Sequence, residues 1–181
     1  DQVQQAVEIE EARGHLLVAV AMATAGDFAT AAAHPQMGNL GPIIAALGAD
    51  GAALASSLGA ALQQVGQASA STTEPPRLEA AAAMANTALD EVASALFPAT
   101  VRGDLAFQAQ VMASLVEHAV AEYEEAVSSG AVREVTEYQD GYGFFHQART
   151  LWRRFEGQVQ AAAAHEYEEV EEQLDLLKTA F

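Results

Sequence analysis

The chain has 181 residues, of which 51% are hydrophobic, enough to build one folded domain and to exclude intrinsic disorder. Its 25 acidic and 8 basic residues give a formal charge of −17, which disfavours nucleic-acid and anionic-membrane partners. Cysteine is absent, which excludes disulfides, thiolate metal sites and cysteine nucleophiles.

The N-terminal quarter predicts one long helix followed by a short one. Apolar residues recur at helical spacing over residues 2–25, and Gly26 is a natural stop. Asp27 can cap a short helix over residues 28–33, which ends where Pro35 follows His34.

The next segment predicts a loop, a helix and a linker. Residues 36–51 are glycine-rich, so we expect a loop that holds a short helix over residues 43–47. Residues 52–67 predict a long helix, in which Gly59 indicates a close helix crossing or a weak point. The polar run Ser69–Pro76 predicts an exposed linker between two helical halves, residues 1–68 and 77–181.

The second half predicts three more helical regions. The first covers residues 77–97, includes Met84 among its core positions and ends at Pro98. The second begins after Asp104 and runs to about Ser129, before Gly130. The third begins near Thr136, with bends predicted at Gly141, Gly143 and Gly157, and it ends in an acidic, solvated face over residues 161–177.

These elements predict an all-α fold, a single domain over residues 1–181 built as an up-and-down bundle of five or six helices. No strand pattern is found. Because so much of the apolar content is alanine, we expect a thin core with a few large anchors, namely Leu105, Phe107, Phe144, Phe145 and Trp152.

Histidines one helical turn from a carboxylate are the candidate metal ligands. Glu11 precedes His15 by four residues, and Glu122 follows His118 by four, so each pair lies on one helix face. Nitrogen and oxygen ligands suit iron, zinc or manganese. If the two helices pack together, the pairs predict one cation site, whereas His165 with Glu169 lies in the solvated acidic face.

Enzyme signatures are not found in the sequence. It contains no Gly-x-Ser-x-Gly elbow, no His-Glu-x-x-His motif and no phosphate-binding glycine loop. The Glu-x-x-His motif of di-iron bundles is also missing. We therefore expect a protein that is not an enzyme and that binds without turnover.

The stretch from Glu122 to Val127, then Gly130, then Glu137 to Phe145, resembles the helical extracytoplasmic segment of bacterial FTR1-type iron permeases. A weaker resemblance covers residues 14–35. The resemblance implies a role in iron uptake, a permease partner and an extracytoplasmic location. The family's Arg-Glu-x-x-Glu iron motif is matched by residues 133–137, but in a polar stretch that favours a carboxylate pair at a helix start.

Tyr138, Tyr142 and His146 form a stripe at a spacing of four. It predicts an aromatic packing seam or, alternatively, a lining for ferric iron that adds His146 to the candidate ligands.

The leading hypothesis is thus an extracytoplasmic domain that binds iron, or another divalent or trivalent cation, and presents it to a membrane permease. The alternative is a protein-interaction or regulatory module with an acidic docking face and no metal. The apolar run over residues 16–25 is too short for membrane insertion, and homo-oligomer formation stays open. Because no signal peptide precedes Asp1, we expect a mature or trimmed secreted or periplasmic chain.

Overall fold

A computed structural model describes residues 1–34, 40–70 and 74–181. The described chain is almost entirely helical, so the predicted all-α bundle is confirmed. Six helices are long and three are short: α1 (Gln2–Thr24), α2 (Phe28–Ala33), α3 (Gly41–Leu47), α4 (Ala52–Ser69), α5 (Pro75–Leu96), α6 (Ala99–Arg102), α7 (Leu105–Ala126), α8 (Val135–Ala162) and α9 (Ala164–Leu177).

Helix α1 lies at the centre of the bundle. It packs against α2, α5, α7 and α8, and its buried residues occupy its whole circumference. These include polar side chains, Glu10, Arg13 and His15, as well as aliphatic ones. Because a buried polar group needs a partner, these three side chains are held by residues from other helices.

The core anchors come mainly from α8. Phe144, Phe145 and Trp152 are buried as predicted, and Phe145 is fully enclosed. Leu105 and Phe107 are half-buried and pack at the edge of the core. The large side chains of α8 therefore fill the space that the alanine-rich faces of α1 and α5 leave open.

A short β-hairpin joins α7 to α8 and corrects the predicted helix end at Ser129. Strands β1 (Val127–Ser128) and β2 (Ala131–Val132) pair antiparallel, with Val127 opposite Val132. Both turn residues, Ser129 and Gly130, have positive φ values of 54° and 74°. This is the turn that matches the twist of a hairpin, and it explains why the chain reverses at Gly130.

The predicted bends in α8 are wrong, because the helix is continuous from Val135 to Ala162. Two of its glycines instead allow close packing. A Cβ atom at Gly143 would lie 2.8 Å from the carbonyl oxygen of Gly14, and one at Gly141 would lie 3.0 Å from that of Ala119. Gly157 is exposed and has no atom within 4 Å of such a Cβ.

Two predictions about α4 and α5 are also corrected. Gly59 does not mark a close crossing, because no atom lies within 4 Å of a Cβ built there. Met84, predicted for the core, is 52% exposed. The buried face of α5 uses Ala81, Ala82 and Ala85 instead, and alanine gives little indication in a sequence of which face it occupies.

The predicted linker Ser69–Pro76 lies only partly in the described residues, since residues 71–73 fall outside them. Ser69 is the last residue of α4, and its hydroxyl donates to the Val65 carbonyl at 2.8 Å. Pro75 and Pro76 form the first turn of α5, where proline is well tolerated. The division into two helical halves stays a prediction.

Helix α9 packs along α8 and buries only Leu174 among its own residues. Most of its carboxylates are exposed, as a solvated face requires. Within the described ranges, no helix combines the length and the apolar character that crossing a bilayer demands.

Candidate metal centre

Three buried side chains meet between α1, α2 and α8, and they form the one group of potential metal ligands in the described part of the chain. His15, His34 and Asp140 each offer a ligand atom, and these atoms lie within 4.8 Å of one another. The Nδ1 atoms of His15 and His34 lie 3.0 and 2.9 Å from the same Asp140 Oδ1. Two imidazoles and one carboxylate are a donor set that suits iron, zinc or manganese.

Gln139 determines which nitrogen of His34 carries a hydrogen. The amide oxygen of Gln139 lies 3.0 Å from His34 Nε2, and its amide nitrogen donates to Met22 Sδ at 3.2 Å. Because an amide oxygen can only accept, Nε2 of His34 is the donor. The other nitrogen, Nδ1, is therefore available for a proton or a cation. Proteins commonly orient a ligating imidazole through such a bond at its distal nitrogen.

Hydrogen bonds to the Asp140 carboxylate hold His15 and His34 at the centre. Burial acts to lower the pKa of His34, but the hydrogen bonds to Asp140 and Gln139 outweigh it and raise that pKa. Burial acts to raise the pKa of Asp140, yet the hydrogen bonds to His15 and His34 bring it below its usual range. Both shifts act towards a proton on His34 and a charge on Asp140, so a cation at His34 Nδ1 must compete with a proton.

Packing fixes the rings in place. The Phe144 ring meets His15 edge-on at 5.2 Å between centroids, and the rings of His15 and His34 stack at 6.2 Å. His15 follows Gly14 directly, where α1 approaches α8 most closely, and Asp140 lies one turn before Gly143. The glycine contact between the two helices therefore brings the imidazole to the carboxylate.

The ligands predicted from the sequence do not come together in one site. Glu11 does not join His15 in one site, because it is paired with His118 Nδ1 across α1 and α7. The two helices do oppose each other, as predicted. The His118 side chain, however, is 40% exposed, and neither Glu11 nor His118 belongs to the buried ligand group.

Glu122 has turned towards α8 and shares a hydrogen bond with Glu137. Burial, this hydrogen bond and the negative charges of Glu137, Asp140 and Glu125 raise the pKa of Glu122 to about 7. Glu134 is the N-cap residue of α8 and Glu137 lies in its first turn, so the carboxylate pair predicted within residues 133–137 stands at a helix start. Glu122 therefore adds negative potential beside the centre without being one of its three ligands.

His146 lies in a cationic environment. Its ring packs against Tyr142, with 4.2 Å between centroids, and against Phe145. Burial and the charges of Arg149, Arg153 and Lys178 lower its pKa. These contacts fit the aromatic packing seam rather than a cation site. His165, by contrast, is exposed beside Glu169 at 3.5 Å.

Sequence reasoning missed His34 and Asp140. The sequence marks His34 as one of five histidines and as the end of a helix before Pro35, and it marks Asp140 as part of the pattern that resembles the permease family, but neither is predicted as a ligand. The residues are 106 positions apart, and spacing along one helix cannot reveal a contact between elements so distant in the chain. The one available signal was a histidine beside a helix break in a chain with few histidines.

The C-terminal part of the chain matches a known protein family. Residues 98–181 match the model of a family described as an iron permease-associated 4-helix bundle domain. This part of the chain is therefore similar to such a domain. The resemblance drawn from residues 122–145 is thereby confirmed, and the chain is linked to iron uptake through a family associated with transport rather than catalysis. No curated protein and no solved structure matches the chain.

The segment that matches the family contributes only one of the three ligands. Asp140 lies within the matched residues, whereas His15 and His34 precede them. The matched segment holds three long helices, α7, α8 and α9, and α1 packs against two of them. The candidate centre therefore lies where the N-terminal part of this chain packs against the matched segment.

Proposed function

We propose that this chain is an extracytoplasmic helical domain that serves iron uptake by holding a cation at His15, His34 and Asp140. The domain would present the cation to a membrane permease. The family of residues 98–181 supplies the link with iron permeases. The bound cation, the extracytoplasmic location and the contact with a permease are what we propose beyond that link.

One observation carries the proposal: two imidazoles and a carboxylate converge in a buried position, with Gln139 holding the distal nitrogen of His34. Three protein ligands leave positions open for water or for a chelator, as expected of a site that exchanges its cargo. The charge of −17 raises the local cation concentration but does not select one metal. The two imidazoles and the carboxylate would determine which metal is bound.

Burial of the ligands has a kinetic consequence. His34 has no exposed surface, and His15 and Asp140 are 6% and 4% exposed. Entry of a cation requires one wall of the centre to move, so we expect slow exchange unless a partner opens it. Because the ligands come from α1, from the C-cap of α2 and from α8, the bound cation would stabilise the packing of these elements.

A second candidate function is an interaction module without a metal. The exposed carboxylates of α9 favour it, because they offer a basic partner a continuous acidic face. In that case His15, His34 and Asp140 would form a structural ion pair.

Calorimetric titration of the metal-free protein with Fe(II) under anaerobic conditions, and with Zn(II) and Mn(II), separates these functions. We expect one saturable site that His34→Ala and Asp140→Asn each weaken by at least about tenfold, since each removes a ligand worth more than ~1.4 kcal/mol. His118→Ala and His165→Ala are the matched controls and should leave the affinity unchanged, because neither residue belongs to the buried group.

The outcomes are distinct. No saturable site for any of the three metals would support the interaction module. Binding lost in His118→Ala but retained in His34→Ala would instead locate the cation at the Glu11 and His118 pair. Affinity should also fall on acidification, and because the pKa of His34 is raised, the fall should begin above pH 6.5.

A further inference from the structure

A second potential binding site lies on the other side of α1. A cavity of about 260 Å³ opens between α1, α5, α7 and α8, and none of the three candidate metal ligands lines it. Its apolar lining is built by Ile9, Phe97, Phe107, Val111 and Leu151. Concave sites with an apolar lining and a few polar groups are the usual form of small-molecule sites.

The polar part of this lining is rich in arginine. Arg13, Arg102 and Arg154 all line the cavity, although the whole chain has only eight basic residues. We call this space the arginine cavity. The exposed carboxylates already keep the protein soluble. Three guanidinium groups close together in so acidic a protein therefore need another explanation.

The two carboxylates of the lining, Asp90 and Glu10, pair mainly with Arg13. Asp90 accepts a hydrogen bond from Arg13 Nη2 at 2.7 Å, and Glu10 Oε1 lies 3.4 Å from Arg13 Nε. Glu10 also accepts from Gln147, and it lies 4.0 Å from Arg154 Nη1.

Positive charge therefore remains at the rim. Arg102 donates through Nε to the Phe97 carbonyl at 3.1 Å, and no carboxylate of the described ranges forms an ion pair with it. With three arginines against two carboxylates, the lining has one positive charge in excess.

Two buried atoms of the lining also lack hydrogen-bond partners within the described chain, Nε of Arg13 and Oε1 of Gln108. Buried polar atoms without partners are rare in folded proteins, because each one costs the free energy of its lost hydration. A carboxylate in the cavity would accept from Nε of Arg13, whose ion pair with Glu10 is long at 3.4 Å, whereas Oε1 of Gln108 requires a donor. This observation is independent of the charge count.

We propose that the arginine cavity binds a small organic carboxylate with an apolar body. The carboxylate group lies against the guanidinium groups of Arg102 and Arg154, which present several donors to a planar anion. The apolar body packs against Phe97, Phe107 and Leu151. An inorganic anion would not fill the apolar part, and a cation would meet the excess positive charge.

Isothermal titration with 3-phenylpropionate, combined with NMR of the arginine Nε–H groups, tests this assignment. We expect 3-phenylpropionate to bind saturably. Its neutral amide, 3-phenylpropanamide, keeps the apolar body of the ligand but loses the charge, so it should bind at least about tenfold more weakly. Acetate, which keeps the charge but lacks the body, should also bind at least about tenfold more weakly.

Arg102→Gln and Arg154→Gln should each weaken 3-phenylpropionate binding by about three- to tenfold. Arg133→Gln is the matched control, since Arg133 is exposed and lies outside the cavity. Ala93→Leu should weaken binding by filling the cavity, with folding verified by circular dichroism. Absence of saturable binding, equal binding of acid and amide, or an equal loss in Arg133→Gln would overturn the proposal.

Discussion

Gly14 on α1 and Gly143 on α8 meet where the two helices cross, so closely that a Cβ atom on Gly143 would lie 2.8 Å from the Gly14 carbonyl oxygen. A Cβ on Gly14 would in turn lie 3.0 Å from the Phe144 ring. His15 and Asp140 flank this contact and are joined at 3.0 Å. The position of the candidate metal centre therefore depends on the absence of two side chains.

We expect Gly143→Ala to destabilise the protein by about 1–3 kcal/mol, because the added methyl group would force α1 and α8 apart. The variant should also bind a cation more weakly, since His15 and Asp140 would separate. Urea unfolding measures the free energy of unfolding. Gly157→Ala, on an exposed part of the same helix, is the control and should be stabilised by about 0.5–1 kcal/mol. Equal effects at both positions would refute the account of the helix crossing.

Glu122 should make the free energy of unfolding depend on pH. Its pKa is raised from 4.5 to about 7 in the folded protein, so the folded state binds the additional proton between these values. Its contribution to stability is therefore complete below about pH 4.5 and is lost as the pH rises through about 7.

Glu122→Gln should accordingly reduce the loss of stability between pH 5 and pH 8, as measured by the urea midpoint at each pH. Glu137, Asp140 and Glu125 supply the negative charges that oppose ionisation of Glu122, and they remain in this variant. Glu124→Gln changes an exposed carboxylate on the same helix and should leave the slope unaltered. An unchanged slope in Glu122→Gln would contradict the raised pKa of Glu122.

The Glu11 and His118 pair should contribute little to stability. The His118 side chain is 40% exposed, and partly exposed ion pairs are typically worth about 0–1 kcal/mol. A double-mutant cycle with Glu11→Ala and His118→Ala measures the coupling directly. A coupling energy above about 2 kcal/mol would show that this pair is a buried structural element, contrary to its exposure.

Helix positions could be predicted because their ends carry local signals. Asp27 accepts a hydrogen bond from the Thr30 amide at 3.1 Å, and Asp104 accepts one from the Phe107 amide at 2.8 Å. Both caps were predicted from the residue type and the break before it. The glycines of α8 gave the wrong prediction, because a glycine that permits close packing looks the same in a sequence as one that bends a helix.

The candidate centre could be predicted only in part. His15 was recognised as a ligand, but its expected partner Glu11 on the same helix lies with His118 instead. Asp140 is 125 residues from His15, and only the packing of α1 on α8 brings them together. Pairing rules within a helix predict which residues share a face, whereas the partner of that face depends on the tertiary fold.

X-ray absorption at the metal edge shows whether His34 holds the cation, using protein loaded with one equivalent of Fe(II) or Zn(II) and passed through gel filtration. We expect about one retained metal per chain, with scattering from two imidazole rings. His34→Ala should remove one of these rings, and His118→Ala should remove none. A chain that retains no metal, or imidazole scattering that falls in His118→Ala and persists in His34→Ala, would contradict the account.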